Sequence, residues 1–238
     1  MKILHLYYDL MNLYGEYANV SALERYLRQQ DIDVVTDKKS LYDDIDFSEY
    51  RFIYIGSGTE MKQLVALEDI MRRKEALRAA YDSGAVILAT GNAFELFGKK
   101  IVSPDNTEHE ALSFFDFYTV VNDNQRALTD QICLCNAGNK AVGFINKASE
   151  IYGIKTPMFK VIWGEGNNKE EKTEGIIEGN FYGTHLTGPC LVKNPLMAEH
   201  FVRLLCEKEG KEFKGLSCEY ERKAYEITLS ELESRFGK

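Results

Sequence analysis

Cysteine is missing from the first half of this 238-residue chain: its five cysteines, an odd number, begin at Cys133. A disulfide framework is therefore not expected, and a chain of this length buries enough core to fold without disulfides or metal. Basic residues are outnumbered by acidic ones, 29 to 37, which gives a net charge of −8. Because nucleic-acid affinity depends on Lys and Arg that neutralise phosphates, this balance argues against a nucleic-acid-binding protein.

Long apolar runs are also missing. No stretch approaches the roughly 18 apolar residues of a membrane span. The apolar run at the N-terminus stops at Asp9, and neither the longer apolar region nor the small-residue cleavage site of a secretory signal follows it. We therefore expect a soluble, cytoplasmic protein that does not act at a membrane.

Short apolar runs alternate with segments of helical period in the first half of the chain. The runs that read as strands cover residues 3–7, 32–35, 52–55 and 85–89, with amphipathic helical segments at 20–27 and 64–77. Strands and helices that alternate in this way are typical of βαβ units. The pattern predicts an α/β fold with a doubly wound, mostly parallel sheet and helices on both faces.

The second half has a different pattern. Strand-like segments cover residues 112–121, 132–134, 141–145 and 158–163, and helical segments cover 195–208 and 217–236. No Pro/Gly/Ser-rich linker separates the two halves. We therefore predict one α/β domain over residues 1–205 and a helical tail over 206–238, which contains the C-terminal helix.

Two small-residue turns follow predicted strands, at the edge where open parallel sheets bind ligands. Gly56, Ser57 and Gly58 follow the third strand, and they either let backbone N–H groups approach a ligand or form a tight turn into the next helix. Residues 89–98 combine a strand end, a small-residue turn and an immediate helix, which is the geometry of a nucleophile elbow. The residue at the apex of this elbow is a glycine, Gly91.

The opening segment 6–19, LYYDLMNLYGEYAN, resembles the start of the class I glutamine amidotransferases of the cobyric acid synthase type, most closely the glutaminase subunits of lipid II isoglutaminyl synthase. Later segments follow the order of that family's motifs: IGSG at 55–58, the elbow at 90–98, GFINK at 143–147, GEGNN at 164–168 and GTHLTGP at 183–189. Each motif is loose, but the ordered set is specific and covers roughly residues 1–200. The resemblance implies a flavodoxin-like fold of the class I glutamine amidotransferase kind.

The resemblance also assigns catalytic positions. In that family a cysteine at the elbow attacks the side-chain amide of glutamine, a histidine before a Gly-Pro pair serves as the base, and the Gly-rich loop holds the oxyanion. The cysteine position falls on Gly91 and the histidine position on Thr187, and neither residue can do that work. Lys147 stands at a further histidine position, and Glu150 lies near a substrate-facing arginine position. These changes in an otherwise retained scaffold predict the loss of glutaminase activity by the family mechanism.

Nearby side chains could line such a site or take over the roles of the missing nucleophile and base. Thr90 offers a hydroxyl next to the apex, but no base is expected beside it, and a threonine at the end of a strand is the alternative. His185 lies two residues before Thr187, so the two share a face if they lie in a strand; a partly buried structural histidine is the alternative. The predicted binding residues are Gly56, Ser57, Gly58, Thr90, Asn92, Glu95, Lys147 and His185.

The remaining candidates have structural explanations. Glu16 and Glu95 lie close to the site in the family arrangement, but neither has an assignable catalytic partner, and we predict solvated surface carboxylates. Cys190 is predicted to be a small buried residue rather than a thiolate. Cys133 and Cys135 form a CxC without a second pair, and the histidines show no metal-ligand spacing, so we expect neither a metal nor another cofactor.

Three functions are compatible with these residues. The first is a glutamine-amidotransferase-like protein without glutaminase activity that binds a ligand or a partner; the family's partner is a Mur-ligase-like, ATP-dependent synthetase. The second is an active amidotransferase or hydrolase with a site rearranged around Thr90, His185 and Glu95, which would supply ammonia to amidate a cell-wall or cobyric-acid-type substrate. The third is a free-standing protein that binds a small molecule. The vacated nucleophile and base positions favour the first.

Overall fold

The computed structural model describes residues 1–122 and 124–237 and contains strands and helices that alternate through the first half of the chain. The strands are β1 Lys2–Leu6, β2 Val35–Lys39, β3 Phe52–Ile55, β4 Val86–Thr90, β5 Lys100–Val102, β6 Glu108–Glu110, β7 Tyr118–Val121, β8 Ala127–Cys135, β9 Lys140–Lys147, β10 Ser149–Tyr152, β11 Phe159–Trp163, β12 Thr173–Glu174, β13 Ile176–Glu178 and β14 Phe181–Thr184. The α-helices are α1 Tyr17–Arg28, α2 Glu60–Met71, α3 Lys74–Asp82, α4 Cys190–Lys193, α5 Pro195–Lys208 and α6 Glu219–Phe236. Short 3-10 helices cover Leu13–Gly15, Phe47–Glu49 and Gly91–Phe97. None of the helices in this described part of the chain combines the length and the apolar character that crossing a bilayer requires.

A six-stranded sheet lies at the centre of the fold, with its strands in the order β13–β14–β4–β3–β1–β2. Each neighbouring pair is parallel except β13 and β14, which are antiparallel. Strands β3 and β4 are buried at every residue, as continuous apolar runs in a parallel sheet should be. The predicted α/β fold with a mostly parallel sheet is confirmed.

One apolar core lies on each face of this sheet. Along β3, Ile53 and Ile55 point into the core that contains apolar residues of α2 and α3. Phe52 and Tyr54 point the opposite way, into the core formed with α1 and α5, because successive side chains of a strand alternate between faces. Helices therefore cover both faces, and the carboxyl ends of β3 and β4 stay open for a site.

The second half of the chain adds two four-stranded sheets, β10–β7–β5–β6 and β12–β11–β8–β9. The C-terminal helix expected near the end of the chain is confirmed as α6, which packs on β8 and β9. There Leu232 joins Ile132 and Val142 in a small apolar cluster, and the Tyr225 hydroxyl donates to the Lys140 carbonyl oxygen over 2.7 Å. The division of the chain after residue 205 stays a prediction.

Three local predictions were wrong in extent or position. The strand expected at 32–35 begins only at Val35, and the helix expected to be continuous over 64–77 is interrupted between α2 and α3. Of the run 112–121, the final four residues form β7, while its phenylalanines pack into the core. Apolar periodicity reports which residues are buried, and burial does not require a ladder hydrogen bond or an unbroken helix.

His5 on β1 is expected to make the stability of the fold depend on pH. Its ring is buried edge-on against Tyr54, and burial, aided by Lys38, lowers its pKa from 6.5 to about 4. The unfolded chain therefore binds more protons than the folded one between these values, so stability is lost as the pH falls through that window. This pKa shift lowers the free energy of unfolding by about 3 kcal/mol at about pH 4 relative to neutral pH.

A His5→Phe variant tests this expectation, because it keeps a ring and removes the titration. The Nε2 atom of His5 has no hydrogen-bond partner among the described residues, so phenylalanine breaks no bond there. Urea unfolding of both proteins at about pH 7 and about pH 4 should show an acid-induced loss that is about 3 kcal/mol smaller in the variant. Equal losses in the two proteins would show that His5 is not the responsible group.

Candidate functional site

The candidate site lies at the carboxyl ends of β3 and β4, where both predicted turns are found. Gly56, Ser57 and Gly58 follow β3, and the 3-10 helix Gly91–Phe97 follows β4 without an intervening residue. A cavity of about 210 Å³ opens beside these turns. Five of the predicted binding residues line it, namely Ser57, Gly58, Asn92, Glu95 and Lys147.

The other three predicted binding residues, Gly56, Thr90 and His185, do not line this cavity. Gly56 is enclosed, since a Cβ atom there would lie 2.5 Å from the carbonyl oxygen of Met11. The side chains of Thr90 and His185 turn to buried carboxylates instead. Gly56 and Thr90 therefore lie at the two turns, but neither they nor His185 lines this cavity.

Among the cavity residues that were not selected from the sequence are four with polar side chains from separate parts of the chain: Tyr14, Gln63, Arg126 and Ser149. They come from four separate segments, and none belongs to the small-residue turns that drew attention to the site. For Ser149 a signal existed, because it follows the GFINK segment by two residues. For Gln63 the signal was Thr59, a residue type that caps helices and that stands just before the first residue of α2. Gln63 lies in the first turn of this helix, which faces the site.

The apex of the elbow has the backbone of a nucleophile elbow but no room for a side chain. Gly91 has φ +59°, in the left-handed region that favours glycine. A Cβ atom on Gly91 would lie 2.2 Å from the Cβ of Ser57 and 3.0 Å from its Oγ. The side chain of Ser57 thus occupies the space that a nucleophile at the apex would need.

Thr187 and Gly58, which the resemblance places at the base and at the oxyanion loop, both form hydrogen bonds within the protein. The Thr187 hydroxyl donates to the carbonyl oxygen of Phe144 over 3.1 Å, and the backbones of these two residues pair as a β-bridge. The Gly58 N–H donates to Asn92 Oδ1 over 2.9 Å, so this donor of the small-residue loop already has an acceptor. Thr187 and Gly58 therefore already have hydrogen-bond partners within the protein.

Glu16 is buried against the end of β4, which corrects two predictions. It is 0% exposed rather than solvated, and its carboxylate accepts hydrogen bonds from the hydroxyls of Thr90 and Tyr54 and, over 3.3 Å, from the Gly188 N–H. Burial raises the pKa of this carboxyl, although the hydrogen bonds act in the opposite direction. A carboxylate does lie beside Thr90, contrary to expectation, because Glu16 enters from the loop before α1.

Glu95 is the second buried carboxylate, at 1% exposure, so its predicted solvated position is also wrong. It accepts hydrogen bonds from Gln63 Nε2 over 2.8 Å and from Ser149 Oγ over 2.5 Å, and it pairs with His185 Nε2 over 2.8 Å. His185 lies beyond β14, which ends at Thr184, so the strand that would have aligned it with position 187 does not extend so far. The three partners come from segments far apart in the sequence, which explains why none could be assigned from the sequence.

Lys147 is buried at the end of β9, where it faces the cavity. Its Nζ atom donates to the carbonyl oxygens of Gly166 and Asn167 over 2.6 and 2.9 Å. Burial lowers the pKa of this ammonium group. Glu150 lies in the lining of a neighbouring cavity of about 330 Å³.

Metal-binding side chains and the Cys190 thiol add no second site within the described residues. Among residues 1–122 and 124–237, no three His, Cys, Asp or Glu side chains lie close enough together to hold a metal ion. Cys190 is fully buried, and burial raises the pKa of its thiol well above the usual value, which disfavours the thiolate. Cys190 is therefore a small buried residue, as predicted.

Sequence comparison finds relatives across most of the chain. The CobB/CobQ-like glutamine amidotransferase domain matches residues 2–195. The subunit GatD of lipid II isoglutaminyl synthase (glutamine-hydrolyzing) from Staphylococcus aureus (strain N315) is 31% identical over 231 residues, which cover 96% of this chain and 95% of that protein. The subunit of the same name from Streptococcus pneumoniae (strain ATCC BAA-255 / R6) is 29% identical over 212 residues, covering 88% and 82%.

Solved structures share the fold at lower identity. PurLQS from Thermotoga maritima has a TM-score of 0.56 at 15% identity, and the match covers 86% of this chain and 95% of that one. A glutamine amidotransferase structure has a TM-score of 0.55 at 12% identity, with 84% and 97% covered. At such identities the likeness supports the fold and does not transfer an activity.

Proposed function

Because this chain belongs to the CobB/CobQ-like glutamine amidotransferase family, we propose that it keeps the family's scaffold and acts without glutaminase activity, as a binding or partner subunit. The resemblance seen in the opening segment and in the order of the later motifs is thereby confirmed at the level of the family. The absence of glutaminase activity and the role in a complex are the proposal. The expected cytoplasmic location belongs to the same proposal.

The closed apex at Gly91 is the observation that carries this proposal. Amide hydrolysis by the family's route needs a nucleophile whose side chain projects from the elbow, a base within hydrogen-bond reach and free oxyanion donors. At the apex there is no side chain, and the Cβ of Ser57 occupies the space. Thr187 cannot accept a proton near neutral pH, and the Gly58 N–H is bonded to Asn92. The nucleophile and the base are therefore both missing, and one N–H donor of the Gly-rich loop is already bonded.

A synthetase subunit is the partner that we propose. Both curated relatives are named as subunits of a glutamine-hydrolysing lipid II isoglutaminyl synthase, and this chain covers most of each. A Mur-ligase-like, ATP-dependent amide synthetase would fit such a complex, with this chain as its structural or regulatory element. Two exposed apolar side chains of α2, Met61 and Val65, lie near Glu60 and Gln63 of the cavity and offer contact area for a protein.

An active enzyme with a rearranged site is the second candidate, and the contact between Thr90 and Glu16 favours it. A hydroxyl beside a carboxylate of raised pKa resembles a nucleophile beside its base. Both side chains are fully buried, however, and neither lines the cavity. A substrate carbonyl could meet the Thr90 hydroxyl only after the turns around it opened.

Ammonia release from glutamine separates the two candidates. We expect the purified protein to produce no ammonia above an enzyme-free blank, alone or together with a synthetase from its own host, because the nucleophile position is empty. The glutamine-hydrolysing complex of the Staphylococcus aureus relative is the positive control. Turnover above the blank would overturn the proposal, and its loss in a Thr90→Val variant would establish the second candidate.

A rebuilt site provides the complementary test. Gly91→Cys and Thr187→His restore the two side chains, but Gly91→Cys alone would clash with Ser57. We therefore expect detectable ammonia release only when Ser57→Gly is added to both substitutions. Activity in the double variant with Ser57 intact would show that the apex is less closed than the structure indicates.

Recovery of the tagged chain from its native host tests the partner role. Co-purification of a Mur-ligase-like synthetase is the expected result. Recovery of the chain alone, with a tightly bound small molecule, would favour a free-standing binding protein instead.

A further inference from the structure

A further cavity, of about 270 Å³, lies between helix α1 and the strands β1 and β2. One face of α1 lines it with side chains at helical spacing, namely Tyr17, Val20, Ser21 and Glu24. The opposite wall and the rim consist of His5, Thr36, Lys38, Tyr8 and Asn12. All of these residues differ from those that line the cavity at the carboxyl ends of β3 and β4, so the two spaces are separate.

His5 contributes a buried polar ring to the wall of this cavity. The residue is 1% exposed, and its Nε2 atom has no hydrogen-bond partner among residues 1–122 and 124–237. Because burial lowers the pKa of His5 to about 4, the ring is neutral near pH 7 and carries one N–H donor and one acceptor nitrogen. A buried polar group without a partner costs free energy, and a ligand that bonds to the ring would remove that cost.

Two charges of opposite sign line the same cavity without neutralising each other. Lys38 stands directly opposite His5 in the pairing of β2 with β1, so the two side chains share a face of the sheet. In the described part of the chain, neither Lys38 nor Glu24 forms an ion pair. The Glu24 carboxylate accepts a hydrogen bond from the Thr36 hydroxyl over 2.6 Å, and Lys38 Nζ lies 6.0 Å from the centre of the Tyr8 ring.

Apolar surface completes the cavity. The rings of Tyr8 and Tyr17 are partly exposed at its rim, and Val20 is buried in its wall. A ligand that places charged groups at Lys38 and Glu24 can therefore cover these apolar atoms with an uncharged part of its own.

We propose that this cavity binds a small zwitterion of the α-amino-acid type, with its ammonium group on Glu24, its carboxylate toward Lys38 and His5, and an apolar side chain against the tyrosine rings. A simple anion or cation would satisfy only one of the two charges, and a neutral sugar would satisfy neither. The ligand is small because 270 Å³ lies below the range of about 300–1,000 Å³ typical of drug-sized ligands. This site goes beyond the function proposed above and does not depend on it, because its residues lie outside the elbow and the Gly-rich loop.

Nuclear magnetic resonance titration of the isotope-labelled whole protein tests the proposal with three probes. L-Leucine carries both charges, L-leucinamide only the ammonium group, and N-acetyl-L-leucine only the carboxylate. We expect L-leucine to shift the backbone amide signals of Ser21 and Lys38 saturably, with a Kd of about 1 mM or tighter. Each of the other two probes should bind about threefold to tenfold more weakly, because it lacks one charge-assisted contact.

Two variants assign the charges to their partners. Glu24→Gln keeps an acceptor for the Thr36 hydroxyl, and it should weaken binding of L-leucine by about tenfold while leaving N-acetyl-L-leucine unchanged. Lys38→Met should weaken L-leucine by about threefold, a smaller effect because Lys38 is exposed, and should leave L-leucinamide unchanged. Lys160→Met is the matched control, because Lys160 is an exposed lysine on β11 outside the linings of both cavities. It should not change the affinity for any probe.

Four results would overturn the proposal: no saturable shift with L-leucine up to about 10 mM, equal affinity for the three probes, shifts confined to Ser57 and Gly58, or tighter binding of D-glucose than of L-leucine. The dispersion of the amide signals shows whether each variant is folded, and the comparison of the three probes on the wild-type protein decides the matter if a variant is not. Turnover of glutamine in the ammonia assay would overturn the proposed function alone, whereas failure of L-leucine to bind would overturn this inference alone.

Discussion

A Gly91→Ala variant is expected to be less stable than the wild-type protein by about 4 kcal/mol, because two penalties combine at the apex. The left-handed conformation at φ +59° strains any residue with a Cβ, at about 1–2 kcal/mol. The added carbon would also lie 2.2 Å from the Cβ of Ser57, a contact that the backbone must move to relieve. Overpacking of that kind costs about 1–3 kcal/mol. The free energy of unfolding in urea at neutral pH measures the sum of the two penalties.

Two further variants separate the penalties. Gly138 lies in the turn between β8 and β9 with φ +85°, and nothing lies within 4 Å of a Cβ placed there, so Gly138→Ala carries strain without a clash. We expect it to cost about 1–2 kcal/mol. Adding Ser57→Gly to Gly91→Ala should recover the part of the stability loss that is due to overpacking. If Gly91→Ala costs no more than Gly138→Ala, the apex has room for a side chain and the main support for the proposed function is lost.

The layout of the central sheet could be predicted because burial and secondary structure coincide there. Strands β3 and β4 are continuous apolar runs, buried on both faces, and α5 begins at a proline, which is favourable in the first turn of a helix. Strand β2 could not be placed, because it is an edge strand with the polar sequence VTDKK, held by its parallel pairing with β1. The apolar Ile32 and Val34 before it pack into the core without joining the ladder.

Motif order predicts that Gly91 stands at the nucleophile position, but the closure of the apex could not be predicted from the sequence. Ser57 and Gly91 are far apart in the sequence and meet only because β3 and β4 are neighbours in the sheet. The burial of Glu16 was missed for a similar reason. Glutamates are exposed in most proteins, and this rule fails when donors from distant segments, here Tyr54 and Thr90, converge on one carboxylate.

Removal of the Glu95 carboxylate is expected to destabilise the protein by about 3–5 kcal/mol. In the wild type this group accepts hydrogen bonds from Gln63 and Ser149 and pairs with His185, all of them buried. A Glu95→Ala variant leaves these three buried partners without their acceptor, and each such loss is costly. The measurement is the free energy of unfolding in urea at neutral pH. Glu108→Ala, at an exposed carboxylate paired with Lys100, is the control and should cost less than about 1 kcal/mol.

The outcome at Glu95 also bears on the choice between the two candidate functions. If Glu95 and His185 form a structural cluster, Glu95→Gln, which keeps one acceptor oxygen, should recover part of the stability lost in Glu95→Ala and should leave ammonia release at the blank. If the pair instead acts on a substrate, Glu95→Gln should abolish a turnover that the wild-type protein possesses, with little effect on unfolding. A nearly unchanged stability of Glu95→Ala would contradict the structural role and would move the rearranged site around Thr90, His185 and Glu95 ahead of the non-catalytic one.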